Sequence, residues 1–439
     1  MPNWFLQRKK NQIFNSFIIT TAGSGISKLL LVLLTFYCSN TLSQYDFGTF
    51  SFVRNTLNMI LCICALNYME LCTKFTVESS HSKKAALRLA LLMMFSLSIC
   101  LFFGLCLLLI PDTTIKSIVS SHELIPYFRV IGVLLAVFMI QPLIEGVLRG
   151  YKDFKLIGIL QILSSISFIV FSVIGINMAG IDGALCAIIA YYVFYSSISL
   201  LAVVREKKLY QKETIKEICH DVKYCLREYP ILYTMILPVF LMSFLEAPVN
   251  WWAQVLLSKH GTFEAVGVMT VILQIRNMLM LIPSYFFNTF SSFAAGLNAE
   301  EDHVGYFSKF QQIKYWLFLG SAGAVILFCL LNQFILNLFG SDYTSASLPY
   351  FIGMLGLPFL LVGNFLKINL IIREHQRLML LISIVSNLLF IITLYGLLWM
   401  GIECVTAFFI SQTVQMIFVY IICEWKYRSE EKELLLSES

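Results

Sequence analysis

The chain has 439 residues, of which 58% are hydrophobic and only 13% are charged, and its formal net charge is +5 at pH 7. Soluble domains carry about 25% charged residues, so this chain has too little charge to cover a soluble surface of its size. Its mean hydropathy of +0.79 indicates an integral membrane protein. Large soluble enzymes, nucleic-acid-binding proteins and secreted disulfide-rich scaffolds are excluded together.

Long apolar segments separated by short polar ones predict helices, because a membrane-spanning helix needs about 20 mainly apolar residues. Strands of a β-barrel would instead alternate over segments of about ten residues. We therefore predict an all-α membrane protein. Its twelve predicted transmembrane helices lie at residues 13–37, 47–73, 85–110, 124–148, 155–179, 181–204, 229–257, 264–296, 313–338, 349–371, 376–400 and 401–423.

The lysines and arginines indicate how the chain is oriented. Most of the 31 basic residues fall in loops on one side, at residues 8–10, 74–88, 149–155, 205–227, 309–314, 373–377 and 426–432. The opposite loops contain only Lys116 and Lys259 and are short. Because positively charged loops stay in the cytoplasm, both termini are expected to be cytoplasmic.

An internal repeat of about 220 residues divides the chain. Three pairs of segments match at nearly the same offset, namely 175–182 with 396–403, 54–60 with 276–282, and 149–153 with 373–377. Each predicted lobe has an even number of helices, so the lobes are expected to be related by a pseudo-two-fold axis along the membrane normal. This is a transporter architecture in which the substrate site lies at the repeat interface.

The repeat also predicts the domain boundaries. We expect an N-terminal six-helix lobe at 1–204, a cytoplasmic amphipathic linker at 205–228, a C-terminal six-helix lobe at 229–423 and a cytoplasmic tail at 424–439. Apolar residues recur at helical spacing in the linker, which is typical of an interfacial helix.

Ionisable residues inside the spans point to a binding site, because each costs at least about 2.5 kcal/mol on insertion scales. Lys28 lies near the middle of the first span, and Arg54 and Arg276 lie on matching helices of the two repeats. They predict a cavity lined by cations from both lobes. The alternatives are an internal ion pair, or snorkelling of the side chain to the interface, which applies most to Arg129 and Lys367.

Glu246 is the only acid deep in a predicted span, and it lies between Pro238 and Pro248. Prolines remove backbone donors and free carbonyl groups. Two roles are open for this carboxylate, binding of a proton or Na⁺ and neutralisation of Arg276. Glu145, near the end of the fourth span, is interpreted as a boundary residue.

Several motifs of catalysis are absent from the sequence. It contains no GxxxxGK[ST] segment for ATP, no HExxH, no CxxC pair among its 12 cysteines, and no acidic pair in a predicted outer loop. We therefore expect a protein that moves its substrate and is not an enzyme. No metal or cofactor is expected, apart from coupling to H⁺ or Na⁺.

Three short motifs carry a resemblance to a known family. They are LSQYDFG at 42–48, GVLRGYKDFK at 146–155 and GIDG at 180–183. With the number of spans and the repeat, they resemble the polysaccharide flippases (Wzx-like, O-antigen type) of the superfamily that also contains the MATE multidrug exporters and the lipid II flippases. The resemblance implies a MATE-like fold, a V-shaped pair of six-helix lobes around a central cavity.

The resemblance also implies a function. Such flippases move undecaprenyl-diphosphate-linked oligosaccharides, such as O-antigen repeat units for lipopolysaccharide, from the cytoplasmic to the periplasmic leaflet of the bacterial inner membrane. The implied partners are membrane lipids, a polysaccharide polymerase and a chain-length regulator. No nucleic acid is expected to bind.

The resemblance further assigns candidate site residues. Lipid II flippases carry arginines in spans one, two and eight, and the matching positions here are Lys28, Arg54 and Arg276. Lys367 is added to this substrate-binding set for phosphate or glycan. Asp46 and Glu246 are the candidates for ion coupling or charge pairing.

Two other functions are weighed against the flippase. An ion-coupled multidrug or cation antiporter of the same fold would need a net acidic cavity, whereas the deep charges here are mainly cationic. A polysaccharide polymerase or ligase would need a long outer loop with paired catalytic groups, and the predicted outer loops are short.

Overall fold

The computed structural model describes the backbone of residues 3–65, 72–73, 76, 83–119, 123–205, 237–299, 303–373 and 375–438. The elements formed by these residues are all helical. Apart from its first residue, the predicted amphipathic linker at 205–228 lies outside the described residues. The fold class predicted from the sequence, an all-α membrane protein, is confirmed.

The described residues before the linker form seven helices. They are α1 (Asn3–Thr41), α2 (Gln44–Ala65), α3 (Lys83–Leu109), α4 (Asp112–Val119), α5 (Ile125–Phe138), α6 (Ile140–Gly150) and α7 (Phe154–Arg205). The span predicted at 124–148 is broken at Met139 between α5 and α6. Pro142 causes the break, since it has no N–H to donate to the carbonyl of Phe138.

The described residues after the linker form a second series. It comprises α8 (Leu237–Ala299), α9 (His303–Leu330), α10 (Asn332–Leu338), a 3₁₀ helix (Ser341–Ala346), α11 (Ser347–Leu355), α12 (Leu357–Ile372), α13 (Gln376–Trp399) and α14 (Cys404–Glu438). The span predicted at 349–371 is divided at Gly356, where Pro358 removes another helical donor.

Ten stretches of the described chain are long and apolar enough to cross a membrane. Two of them are bent, because α7 is non-helical at Ala179 and Gly180 and α8 at Gly261 and Thr262. Each bend divides one stretch into two apolar helices, which agrees with the twelve spans predicted. Gly180 has φ +57° and ψ −127°, a sparsely populated conformation that costs residues other than glycine about 1–3 kcal/mol.

The chain forms two compact units. Unit 1 comprises Met1–Leu42 and Phe52–Trp251, and unit 2 comprises Ser43–Ser51 and Trp252–Ser439. The start of α2 thus belongs to unit 2, and the start of α8 belongs to unit 1. The lobe boundaries expected from the sequence repeat remain a prediction.

Unit 1 is built around the long bent helix α7. Helices α1, α5 and α6 pack against α7, and α3 packs against α5. A cluster of buried side chains joins α6 to both halves of α7, formed by Ile144, Leu148, Ile157, Leu160, Tyr195 and Val203. Because lipid is as apolar as these side chains, the contact between the helices is stabilised by van der Waals packing.

Arg129 has a structural role in unit 1. Its guanidinium donates hydrogen bonds to the carbonyl oxygens of Leu107 (2.7 Å), Leu108 and Ile110 (2.6 Å), and it pairs with Asp112 at 2.6 Å. It therefore caps the free carbonyls at the end of α3. This contact, and not snorkelling alone, explains an arginine near the membrane edge.

Unit 2 is built around α14, which packs against α11, α12 and α13. Beside it, the rings of Phe290, Phe310 and Phe365 lie in mutual contact, with centroid distances of 5.0–5.1 Å. Aromatic pairs at such distances add about 0.5–1.5 kcal/mol beyond the area they bury.

The start of α2 packs closely on α8 within unit 2. A Cβ atom at Gly48 would lie 1.8 Å from the carbonyl oxygen of Phe263, so only glycine fits. The ring of Tyr45 contacts that of Phe263 edge to face at 5.5 Å. The glycine of the LSQYDFG motif therefore permits a backbone contact between two helices.

Candidate functional site

Arg276 is the most deeply buried of the predicted cationic residues. It lies on the second half of α8 in unit 2, and it is only 6% exposed. Its Nη1 donates a hydrogen bond to Oε1 of Gln412 on α14 at 2.8 Å, and its Nε has no hydrogen-bond partner. No carboxylate lies within ion-pair distance of Arg276 among the described residues of unit 2, so its charge is not neutralised there.

Arg54 lies on α2 in unit 1 and is half-buried. It is within electrostatic range of Tyr191 and Tyr192 on α7 and of the Cys38 thiol on α1. The hydroxyl of Tyr192 donates to Oδ1 of Asn58 at 2.6 Å. Tyr191, Tyr192 and Cys38 therefore place neutral polar groups of α1 and α7 near Arg54.

The two predicted lysines lie in different surroundings. Lys28 on α1 is exposed and lies next to Ser27, whose hydroxyl is 2.5 Å from that of Ser165. Lys367 on α12 is half-buried and within electrostatic range of Cys423 on α14.

The two predicted acids are also in different units. Glu246 on α8 is exposed, and its backbone carbonyl accepts a hydrogen bond from the side chain of Asn250 at 3.1 Å. Asp46, in unit 2, is bonded to Ser43, since the Ser43 hydroxyl donates to its carboxylate at 2.7 Å and accepts from its backbone N–H at 3.1 Å. This reciprocal pair caps the N-terminus of α2, which gives Asp46 a structural role.

The structure thus brings Arg276 together with Gln412, and Arg54 together with two tyrosines, each within one unit. The assignment of Glu246 as a partner of Arg276 remains a prediction, because the two residues belong to different units. Among the residues that the structure describes, no group of histidine, cysteine, aspartate and glutamate side chains could hold a metal ion.

Comparison with known proteins identifies the family. A family model described as "Polysaccharide biosynthesis protein" matches residues 13–249, which is more than half of the chain. The chain belongs to this polysaccharide biosynthesis family. Its membership confirms the resemblance that the three short motifs carry.

Solved structures confirm the MATE-like fold of this polysaccharide biosynthesis protein. An inward-facing multidrug resistance MATE transporter of the MOP superfamily is similar with a TM-score of 0.72 and 16% identity, over 94% of this chain and 96% of that one. A Vibrio cholerae MATE transporter is similar with a TM-score of 0.61 and 13% identity, over 96% of this chain and 97% of that one.

A third solved structure is a MOP superfamily transporter from Pyrococcus furiosus. It is similar with a TM-score of 0.59 and 16% identity, over 97% of this chain and 96% of that one, and its description reports a binding pocket of reverse polarity that suggests a different function. No curated protein matches the chain by sequence. The fold is therefore one that solved transporters of the MOP superfamily also have.

One polar network of this family member was missed by the sequence analysis. Glu145 on α6, with a side chain only 12% exposed, pairs with Arg149 at 2.8 Å. It also accepts hydrogen bonds from Gln141 at 3.0 Å and Gln161 at 3.1 Å, and Gln161 accepts one from Ser24 on α1 at 2.7 Å. Glu145 is therefore the centre of a network that joins α1, α6 and α7, and not simply a boundary residue.

A second network lies at the end of α14. Glu424 pairs with Lys314 on α9 at 2.8 Å, and both side chains are about nine-tenths buried. Glu430 accepts a hydrogen bond from Asn369 at 2.9 Å and pairs with His375 at 2.6 Å. These contacts explain why α14 continues to Glu438, beyond the predicted end of its span at 423.

A signal for these contacts exists in the sequence. Gln141, Gln161 and Gln412 are neutral amides in otherwise apolar segments. An amide inside a membrane also needs hydrogen-bond partners, so these glutamines mark the contact points of the helices.

Unit 2 also contains an open cavity of about 590 Å³. Its polar lining residues are Gln44, His260, Glu264, Ser345 and Glu403. Glu403 accepts hydrogen bonds from the backbone N–H and the hydroxyl of Thr406, so it caps the start of α14. One of the two acidic residues that line the cavity therefore has a structural role.

Proposed function

We propose that the protein is a flippase that moves an undecaprenyl-diphosphate-linked oligosaccharide, such as an O-antigen repeat unit, across the bacterial inner membrane. It would work by alternating access, from the cytoplasmic to the periplasmic leaflet, with both termini in the cytoplasm. The observation that carries this proposal is Arg276, a buried guanidinium with a neutral partner in a chain of the polysaccharide biosynthesis family.

The physical reason is the cost of an unpaired buried charge. Taking one ion out of water costs several kcal/mol, and unit 2 supplies no described carboxylate to offset this for Arg276. An anion that binds beside Arg276 would neutralise the buried charge and so offset this cost. A diphosphate is a fitting anion, because arginine can donate two parallel hydrogen bonds to its oxygens.

The same chemistry extends to the other cations. A diphosphate-linked glycan must carry phosphates and hydroxyls across about 30 Å of hydrocarbon, while its polyprenyl tail can stay in the lipid. Arg54, Lys28 and Lys367 would add positive charge along this route. Glu246 would supply coupling to H⁺ or Na⁺, and a polymerase and a chain-length regulator would act on the product.

Replacement of Arg276 tests the proposal. Arg276→Ala should abolish surface glycan in cells, and Arg276→Lys should retain part of it, because lysine keeps the charge without the planar fork. Surface glycan and protein level are measured together. Lys116→Ala, which removes an exposed charge from α4, is the control and should leave surface glycan at the wild-type level.

A double variant provides the result that would contradict the proposal. Wild-type surface glycan in an Arg54→Ala, Arg276→Ala double variant at normal protein level would contradict a cationic substrate site.

The second candidate is an ion-coupled multidrug or cation antiporter. Its support is the similarity in fold to MATE transporters. A cationic drug would be repelled by Arg276, so this function predicts drug efflux that rises in Arg276→Ala. The flippase predicts no such rise.

A further inference from the structure

The bond between Arg276 and Gln412 leaves Nε of the guanidinium without a hydrogen-bond partner. A guanidinium can make paired hydrogen bonds along an Nη1–Nη2 edge or along an Nε–Nη2 edge. Gln412 accepts a hydrogen bond from Nη1 at 2.8 Å, and Nη1 is not part of the Nε–Nη2 edge. Nε is buried without a partner, and no hydrogen bond from Nη2 is present in the described part of unit 2.

The free edge has the geometry that a single phosphoryl group requires. Two parallel N–H groups fit two oxygens of one phosphate, and this pairing gives direction as well as charge. A donor held in a buried position before its ligand arrives loses little entropy on binding. Gln412 therefore acts on the orientation of the guanidinium, which is a positioning role.

The neutrality of Gln412 matters as much as its hydrogen bond. A glutamate at this position would be nearly the same shape and a stronger acceptor, but it would form a salt bridge with Arg276. That bridge would cancel the charge an anion needs. If the contact with Arg276 were purely structural, a charged residue would be preferred at position 412, because hydrogen bonds to charged groups are stronger than neutral ones.

We propose that Gln412 is the residue that holds the Arg276 guanidinium with its Nε–Nη2 edge presented to one phosphoryl group of the substrate, and that it must be uncharged to do so. This inference rests on the proposed function and deepens it. An oxyanion of this shape occurs in a diphosphate and in the carboxylate of an acidic sugar, and the proposal commits to the phosphoryl group.

The test measures binding to the purified full chain in neutral detergent by calorimetry, with inorganic pyrophosphate and glucuronate as the two probes. Gln412→Glu should weaken pyrophosphate binding by at least about tenfold, because the competing charge is buried beside the arginine. Its thermal stability should equal or exceed that of the wild type. Surface glycan in cells should be lost in parallel.

Two further variants complete the design. Gln412→Met has a similar shape and no acceptor, so it should weaken pyrophosphate binding by several-fold without adding charge. Gln415→Glu is the matched control, since Gln415 lies one turn further along α14 and donates to Asn387 at 3.0 Å. It should change pyrophosphate affinity by less than about threefold if the effect belongs to residue 412.

The outcomes are distinct. Wild-type pyrophosphate affinity in Gln412→Glu would overturn the inference. If that variant does not fold, wild-type affinity in Gln412→Met would overturn it as well. Stronger binding of glucuronate than of pyrophosphate by the wild type would refute the phosphoryl assignment. Undiminished pyrophosphate binding in Arg276→Ala would refute the proposed substrate site itself, whatever the effect at residue 412.

Discussion

At the scale of single residues, the partner of a charge decides its role. Arg129, Glu145, Lys314 and Arg276 are all charged groups in apolar segments, and three of them have charged partners within their own units. Arg276 has an amide partner instead. The contrast separates charges that join helices from a charge that is available to a ligand.

The Lys314–Glu424 pair provides a test at this scale. Glu424→Gln should lower the free energy of unfolding by about 3 kcal/mol, because it leaves the ammonium of Lys314 buried without its counter-ion. Thermal unfolding in detergent measures the effect. Asp112→Asn is the matched control, since Asp112 is 57% exposed and its pair with Arg129 should contribute no more than about 1 kcal/mol. If the two variants lose equal free energy of unfolding, burial does not increase the contribution of the Lys314–Glu424 pair.

At the scale of helices, the bends and breaks come from individual glycines and prolines. Prolines at 142 and 358 divide two predicted spans, and Gly180 reverses the chain within α7. Thr262 takes a positive φ of 62° at the corresponding bend of α8, a conformation that is strained for a β-branched residue. Long apolar stretches therefore become helical hairpins through one or two residues.

A substitution at Gly180 measures the cost of its backbone conformation without a steric clash. A Cβ atom would meet no other atom within 4 Å at Gly180 or at Gly320, but only Gly180 has a positive φ. Gly180→Ala should therefore destabilise the protein by about 1–3 kcal/mol. Gly320→Ala, inside α9, should be neutral or stabilising by up to about 1 kcal/mol. Melting temperatures of the two variants check this, and equal shifts would argue against backbone strain as the cause.

At the scale of the whole molecule, orientation in the membrane follows from the basic residues. Asp342 lies in the 3₁₀ helix after α10, and Lys309 lies near the start of α9. The distribution of lysine and arginine predicts that these two positions face opposite sides of the membrane, with Asp342 outside.

Cysteine labelling tests this orientation. In a background in which the 12 native cysteines are replaced by serine, an impermeant thiol reagent should label Asp342→Cys in intact cells. Lys309→Cys should be labelled only after the membrane is opened. The reverse pattern would invert the predicted topology and leave the fold unchanged.

Much of the fold could be predicted from the sequence. Membrane character and the number of spans depend on local hydropathy, which is a property of each segment. The ends of helices were predicted less well. The sequence predicts a span that ends at residue 423 and a tail that follows it. In the structure α14 continues to Glu438, and Glu424 and Glu430 are buried by partners on α9 and α12.

The sequence by itself determined that this is a multi-span helical membrane protein of a polysaccharide biosynthesis family, and it selected Arg276 and Arg54 as charges in need of explanation. Only the tertiary structure decided what those charges contact. Gln412 lies 136 residues from Arg276, and no spacing rule connects them. Hydropathy acts within one segment, whereas a hydrogen-bond partner depends on which helices pack together and how each is rotated about its axis.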